Sequence, residues 1–195
     1  LTTLRRQRQL LEDALNAGAP VPDPLAPAVL LEPLQVCFDS LTACGLMEMA
    51  GGALRDTLRR VNCFGPYLIQ LDIRQESGRH RSVLTAITQM LEIGDYSLWS
   101  ESKRVKWLQH ELSNPRPLIP WESRLNCDDR EVLDTFQVIA ATPSAALGGY
   151  VISMASTPSD VLAVQLLLKS TGCSEQMPVI PLFETLADLE SASSV

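Results

Sequence analysis

The sequence predicts a helix-rich α/β fold in which about three parallel strands alternate with helices. Three short apolar runs carry this prediction, and each is followed by a polar residue and then by a helical pattern. The runs span residues 67–73, 150–154 and 179–183. Short apolar runs bounded by turn residues are typical of strands buried in a parallel sheet. A single predicted helix joins the last two runs, so they should form a β-α-β unit with parallel strands.

The first part of the chain, residues 1–62, is predicted to be a helical region. Leucines at helical spacing predict a helix over residues 1–17, which Gly18 should end. Four prolines then fall within eight residues, so residues 18–27 should form a stiff connector that cannot be helical. Two more helices are predicted to follow, over residues 28–43 and 52–62.

The second part, residues 63–195, is predicted to contain all the strands. Between the first and second strands lies a predicted helical insertion over residues 95–147. The helical patterns in this part cover residues 83–94, 100–112, 128–141 and 159–170, and a last helix should begin near residue 186. Thr157, Pro158 and Asp160 predict a capped helix start, because a threonine cap, a proline at the first position and a carboxylate three residues on favour one.

Candidate functional residues follow the three apolar runs. Arg74 comes after the first run, Ser156 and Thr157 after the second, and Glu184 after the third. Because the carboxyl ends of parallel strands meet at one edge of the sheet, these residues should face the same side. An arginine together with a helix N-terminus can hold an anion, and a carboxylate can bind Mg²⁺.

Both charged candidates also have a structural interpretation. Arg74 or Arg79 could be neutralised in an ion pair with Asp72 or Glu76, since such networks are common in proteins. Glu184 could be a carboxylate that favours the start of the following helix through the helix dipole. The residues alone leave these alternatives open.

The histidines and cysteines suggest little chemistry. His80 lies in the arginine-rich cluster and is a candidate for a catalytic role, whereas His110 should be exposed and inert. No Cys-x-x-Cys pair occurs, which excludes the common zinc and redox motifs. The cysteines are therefore predicted to be free, buried thiols in a reduced cytoplasmic compartment, at positions Cys37, Cys44, Cys63, Cys127 and Cys173.

Charge and hydropathy argue against two classes of partner. The formal net charge of −7 and the absence of a basic stripe argue against nucleic acid. No apolar run approaches the ~20 residues of a membrane-spanning helix. The first residue is leucine and the last residues continue a helical pattern, so we expect a piece of a longer polypeptide.

Six segments in register resemble the phosphoenolpyruvate carboxylase family. They are LRRVNCFG (58–65), LDIRQESGRH (71–80), IGDYSLWS (93–100), EVLDTFQVIA (131–140), YVISMASTPSDVL (150–162) and MPVIPLFETL (177–186). The resemblance implies that residues 63–195 are part of a helix-rich (β/α)₈ barrel of the TIM type. It also implies a cytoplasmic enzyme that is usually a homotetramer.

The resemblance further implies an activity and two site residues. The family makes oxaloacetate and phosphate from phosphoenolpyruvate and bicarbonate, with Mg²⁺ or Mn²⁺, and so feeds the tricarboxylic acid cycle. Arg74 matches an active-site arginine that helps to neutralise phosphate or bicarbonate. Glu184 matches a glutamate that ligates the metal. The family's path runs through carboxyphosphate and the enolate of pyruvate, which captures carbon dioxide.

Several motifs of the family are absent from the chain. These are the Thr-Ala-His-Pro-Thr segment with the catalytic histidine, the segment with the second metal carboxylate, and the Gly-Arg-Gly-Gly loop. The 195 residues alone are therefore predicted to be inactive. Two alternatives remain: another barrel enzyme that uses phosphoenolpyruvate or pyruvate, or a non-catalytic helical interaction module.

Overall fold

The structure is a computed structural model that describes residues 2–19, 25–65, 68–116, 118, 125–173 and 177–194. The chain divides into two compact units, Leu1–Ile69 and Gln70–Val195. The regions defined from the sequence, 1–62 and 63–195, stay predictions as folding domains.

The first unit is helical in its described residues. Its elements are α1 (Thr2–Ala17), α2 (Pro27–Ala43), α3 (Met47–Met49), a π-helical turn (Ala50–Leu54) and α4 (Arg55–Phe64). Gly18 follows α1 with a φ of +60°, as predicted for a glycine that ends a helix. Pro27 is the first residue of α2, a position that needs no backbone N–H. Of the predicted connector, residues 20–24 lie outside the described residues.

The helix predicted over residues 52–62 begins later than expected. Gly52 has ψ near −131°, which is not helical, and the regular helix starts only at Arg55. Two consecutive glycines, Gly51 and Gly52, precede this start. Glycine is the residue that adopts such a conformation at least cost, so the pair breaks the helical run.

The second unit is built on a three-stranded sheet in the order β1-β2-β3. The strands are β1 (Leu71–Glu76), β2 (Leu147–Ser153) and β3 (Val179–Pro181), and both pairs are parallel. The helices of this unit are α5 (Ser77–Met90), α6 (Glu101–Ser113), α7 (Cys127–Ala141), α8 (Pro158–Ser170) and α9 (Leu186–Ser191). The predicted helix-rich α/β class with three parallel strands is confirmed, whereas a place in a (β/α)₈ barrel stays a prediction.

The boundaries predicted for the first strand are wrong. Tyr67 lies outside the described residues, and Leu68 has a φ of +65°, which no strand residue adopts. The strand instead begins at Leu71 and continues through the polar residues to Glu76, which pairs with Ser153. Backbone pairing with β2 extends the strand beyond its apolar part, so the side-chain pattern underestimated its length.

A bulge near the start of β2 shifts its register against β1. Leu71 pairs with Leu147, whereas Ile73 pairs with Tyr150, so β2 carries one extra residue between these pairs. Gly148 and Gly149 occupy this position. A Cβ atom on Gly148 would lie 2.7 Å from Asp72 Oδ1, and one on Gly149 would lie 2.9 Å from Ile180 Cδ1. A side chain at Gly149 would also meet the Pro178 carbonyl oxygen at 3.2 Å, so the bulge favours glycine most strongly at this position.

The core of this unit lies between the sheet and helices α5, α7 and α8. Tyr150 and Ile152 on β2 are fully buried and pack with Phe136 of α7 and Leu167 of α8. Since side chains alternate along a strand, Val151 faces the other side of the sheet. Arg74 on β1 and Ile180 on β3 lie level with Val151, and Arg74 is exposed. Arg74 thus belongs to the face of the sheet away from the helical core.

The capped start predicted for α8 is confirmed, and two further features of this region follow from its residues. Pro181 lies on an edge strand of the described sheet, where its missing N–H costs no ladder bond. Helices α8 and α9 each begin with a threonine followed three residues later by an aspartate. In each, the aspartate carboxylate accepts from the backbone N–H of the threonine, Thr157 with Asp160 and Thr185 with Asp188.

Candidate active site at the carboxyl ends of the strands

Arg74 is the only basic residue on the three described strands. It lies two residues before the end of β1, level with Val151 of the central strand. Its guanidinium forms no hydrogen bond or ion pair within the described part of the chain. The alternative in which Asp72 or Glu76 neutralises Arg74 is therefore wrong for these residues. A guanidinium left free in this way can donate two parallel hydrogen bonds to a phosphate or carboxylate.

The neighbouring arginines, in contrast, are engaged. Arg79 donates from Nη2 to Glu131 Oε2 at 2.9 Å and to the Asp128 carbonyl at 3.1 Å. The hydrogen bond with Glu131 is the main cause that raises the pKa of Arg79 above its usual value. Arg81 donates to Asp160 Oδ1 at 3.3 Å. The ion-pair interpretation therefore applies to Arg79, with Glu131 as the partner instead of Asp72 or Glu76.

Glu184 lies in the short segment between β3 and α9 and is exposed. The start of α9 is capped by Asp188, whose Oδ2 accepts from the N–H groups of Thr185 at 2.9 Å and Glu184 at 3.2 Å. Hydrogen bonds from Thr185, the side chain first, lower the pKa of Asp188. Since Asp188 caps the start of α9, the Glu184 carboxylate is not needed for this purpose and could bind a metal ion.

A magnesium site would need more than Glu184. Magnesium prefers oxygen ligands and is often bound through one or two carboxylates together with substrate phosphate. Glu184 has the right chemistry and exposure for one such ligand. Among the described residues, however, no three His, Cys, Asp or Glu side chains cluster as a metal site. This part of the chain therefore fits one ligand of a metal centre and not a complete centre.

Arg74 and Glu184 are not in contact. Arg74 lies on one outer strand of the sheet, β1, whereas Glu184 follows the other outer strand, β3, and β2 lies between these strands. At the usual strand spacing, these outer strands are about 10 Å apart. Glu184 also lies four residues beyond Ile180, which is level with Arg74 across the sheet. Such a separation suits two groups that approach a ligand from different sides.

The start of α8 is not the anion site that the sequence suggested near Ser156 and Thr157. Glu101 of α6 accepts hydrogen bonds from Ser159 N at 2.9 Å and from Ser159 Oγ at 2.7 Å. Asp160 Oδ2 accepts from the N–H groups of Ser156 at 3.0 Å and Thr157 at 3.1 Å. Two carboxylates already occupy the donors of this helix start, so a further anion is disfavoured.

His80 is a core residue in this structure. Its side chain is 1% exposed, and its Nε2 lies 2.7 Å from the Tyr150 hydroxyl oxygen, while its Nδ1 has no hydrogen-bond partner. The ring packs against Phe136 and Tyr150. Burial lowers the pKa of His80 to about 4 and raises that of Tyr150 above its usual value. This placement does not support a catalytic role for His80, and His110 is exposed as predicted.

One feature of the site has no signal in the sequence. Ser77, at the start of α5, donates from Oγ to the carbonyl oxygen of Met154 at 2.8 Å. Met154 immediately follows β2 and has a φ of +55°. Non-glycine residues seldom adopt positive φ, so the residue type at position 154 gives no indication of this conformation. The hydrogen bond ties the carboxyl ends of β1 and β2 together.

The prediction about the cysteines is half right. No disulfide joins any of the five, as expected. Cys37, Cys44, Cys63 and Cys127 are exposed, however, and only Cys173 is partly buried. The expectation of burial is therefore wrong for four positions, because each lies at a helix surface or helix end in this chain.

Comparison with known proteins identifies the family. The model of the family described as phosphoenolpyruvate carboxylase matches residues 1–195, the whole chain. The chain belongs to the phosphoenolpyruvate carboxylase family. Phosphoenolpyruvate carboxylase of Stutzerimonas stutzeri is 51% identical over 192 residues, which cover 97% of this chain. The proteins of the same name from Pectobacterium atrosepticum and Pseudomonas entomophila are 55% and 47% identical over 85% and 100% of the chain.

The chain spans only part of these phosphoenolpyruvate carboxylases. The matched residues are 22% of the length of the Stutzerimonas protein and 19% of the Pectobacterium protein. Within the described residues, no helix combines the length and apolarity needed to cross a membrane.

Proposed function

We propose that this chain is part of an enzyme that carboxylates phosphoenolpyruvate with bicarbonate to give oxaloacetate and inorganic phosphate. The observation that carries the proposal is the match of all 195 residues to the phosphoenolpyruvate carboxylase family, with relatives of that name near 50% identity. In the overall reaction, the C–O–P linkage of phosphoenolpyruvate breaks and a new C–C bond forms at its methylene carbon.

Arg74 is proposed to receive an anionic substrate. The support for this role is that its guanidinium is exposed and unpaired within the described residues, whereas Arg79 and Arg81 are held by carboxylates. Phosphoenolpyruvate and bicarbonate are both anions. A fixed guanidinium that faces them would lower their mutual repulsion and stabilise the negative charge that moves to the leaving phosphate.

Glu184 is proposed to bind Mg²⁺ or Mn²⁺ as one of several ligands. The support is its exposed carboxylate, which is not needed to cap α9 because Asp188 has that role. A bound divalent ion would supply positive charge next to the phosphate oxygens. The remaining ligands would come from segments outside these 195 residues.

The wider features of the family are proposals for the full-length protein. They are a (β/α)₈ barrel that includes β1, β2 and β3, a homotetramer, and a cytoplasmic location. Three parallel strands with charged groups near their carboxyl ends are compatible with such a barrel. We also propose that residues 1–195 alone are inactive, because their described part offers only Glu184 as a candidate metal ligand and Arg74 as an unpaired arginine on the sheet.

Oxaloacetate formation tests the function. The full-length protein should form oxaloacetate only when phosphoenolpyruvate, bicarbonate and a divalent ion are all present. Residues 1–195 alone should form none under the same conditions. Full-length Glu184→Gln should need a higher Mg²⁺ concentration for half-maximal rate, whereas the exposed Glu190→Gln on α9 should not. If the full-length protein forms no oxaloacetate, the proposed function is wrong.

A further inference from the structure

Met154 combines a strained backbone with an exposed apolar side chain. Its φ is +55° and its side chain is 68% exposed. A methionine in this conformation is less stable than a glycine, which pays no steric penalty at positive φ. The side chain gains little hydrophobic stabilisation, because most of its surface is exposed among the described residues. Packing within the described part of the chain therefore does not explain why a methionine occupies position 154.

Two other non-glycine residues of the described chain have positive φ, Leu68 and Glu92. Glu92 lies in the turn that closes α5, where Ile93 N donates to the Thr88 carbonyl at 3.0 Å, and this turn explains its conformation. Met154 does not close a helix. It follows the last residue of the central strand, and the buried hydroxyl of Ser77 holds its carbonyl at 2.8 Å.

Met154 lies near both charged candidates, Arg74 and Glu184, in the order of the strands. It lies at the carboxyl end of β2, between the strand that carries Arg74 and the strand that precedes Glu184. Arg74 is level with Val151, three residues before Met154. Three residues of strand span about 10 Å. Two long side chains with a three-carbon phosphorylated substrate between them can cover this distance.

We propose that the Met154 side chain is a specificity-determining contact for the carbon skeleton of the substrate whose phosphate Arg74 receives. This inference rests on the proposed function. The thioether chain offers an apolar and adaptable surface to the uncharged methylene end of the substrate. Ser77 fixes the backbone that presents it. Arg74 then recognises charge, and Met154 recognises the part of the substrate that inorganic phosphate lacks.

Three variants of the full-length enzyme test this role. Met154→Gly removes the side chain and relieves the backbone strain, so the protein should stay folded. We expect its KM for phosphoenolpyruvate to rise roughly tenfold, a typical effect of losing one apolar contact. Met154→Leu keeps the apolar bulk and should retain a KM within about twofold of the wild type. Leu68→Gly is the matched control, because Leu68 has a φ of +65° and is 69% exposed.

Inhibition by inorganic phosphate separates the two kinds of contact. Met154→Gly should leave the inhibition constant of phosphate unchanged, since phosphate has no carbon skeleton. An unchanged KM in Met154→Gly would overturn the inference, and so would an equal rise in Leu68→Gly or in Met154→Leu. A parallel weakening of phosphate inhibition in Met154→Gly would also overturn it. Absence of carboxylation by the wild-type protein would instead refute the proposed function on which the inference rests.

Discussion

The Nε2 atom of the buried His80 lies 2.7 Å from the hydroxyl oxygen of Tyr150. The pair joins the first turn of α5 to the middle of β2, within the buried core on one face of the sheet. His80 Nδ1 has no partner, so the structure accommodates a neutral imidazole and would resist a second proton there.

Acid should therefore destabilise this part of the protein. Burial lowers the pKa of His80 from 6.5 to about 4 in the folded state. The unfolded chain binds a proton near pH 6.5 that the folded chain does not yet bind, so stability is present above pH 6.5. It should fall as the pH decreases toward 4, by at most about 1.4 kcal/mol per pH unit from this group.

Urea unfolding of the 195-residue chain between pH 7 and pH 4 measures this dependence. His80→Gln is the control, because glutamine keeps a hydrogen-bonding group toward Tyr150 but does not titrate in this range. The variant should lose less free energy of unfolding on acidification than the wild type. Equal losses in the two proteins would show that His80 is not the titrating group.

Lys169 closes the C-terminal end of α6 and should be a strong stabilising residue. Its ammonium group donates to the carbonyls of Glu111 at 2.9 Å, Leu112 at 2.7 Å and Asn114. Lys169→Met should lower the free energy of unfolding by about 2 kcal/mol, since these hydrogen bonds involve a charged donor. Lys106→Met, on the exposed face of α6, should change it by less than ~0.5 kcal/mol. Similar effects of the two substitutions in thermal unfolding would contradict this role.

The two bulge glycines should differ in their tolerance of a methyl group. A Cβ at Gly149 meets Ile180 Cδ1 at 2.9 Å and the Pro178 carbonyl oxygen at 3.2 Å. At Gly148 the close atom is Asp72 Oδ1, the end of an exposed side chain that can move. Gly149→Ala should therefore cost about 1–3 kcal/mol of stability, and Gly148→Ala clearly less. Chemical denaturation of the two variants compares them, and the reverse order would be inconsistent with the observed register.

Glu101 should stabilise the start of α8. It accepts two hydrogen bonds from Ser159, which is 1% exposed. Glu101→Ala would leave the buried Ser159 N–H without a partner, and we expect a loss of about 1–3 kcal/mol. Ser102→Ala, at the adjacent exposed position, is the control and should be close to neutral. Calorimetric melting temperatures of both variants give the comparison, and a neutral Glu101→Ala would count against the role of this carboxylate.

The sequence predicted the fold class because apolar runs and helix caps are local signals. Thr157 with Asp160 marked the start of α8 correctly, and the last helix was expected near residue 186, where α9 begins. The end of β1 was missed because Gln75 and Glu76 are strand residues only through their pairing with Ile152 and Ser153. Such pairing is a long-range contact that residue patterns do not contain.

The site was predictable in part. Arg74 and Glu184 follow apolar runs, and this position in the residue pattern is enough to select them as candidates. The partners of Arg79 and the capping role of Asp188 depend on which side chains the fold brings together. The burial of His80 and the conformation of Met154 depend on tertiary packing in the same way.

The most direct test of the proposed function compares Arg74→Gln with Arg79→Gln in the full-length protein. The measurement is kcat/KM for phosphoenolpyruvate with saturating bicarbonate and Mg²⁺. Arg74→Gln should lose roughly 10²- to 10³-fold in kcat/KM, because it removes a preorganised charge that faces the substrate. Arg79→Gln should lose little, since Arg79 is paired with Glu131. Wild-type kcat/KM in Arg74→Gln would contradict the role proposed for Arg74.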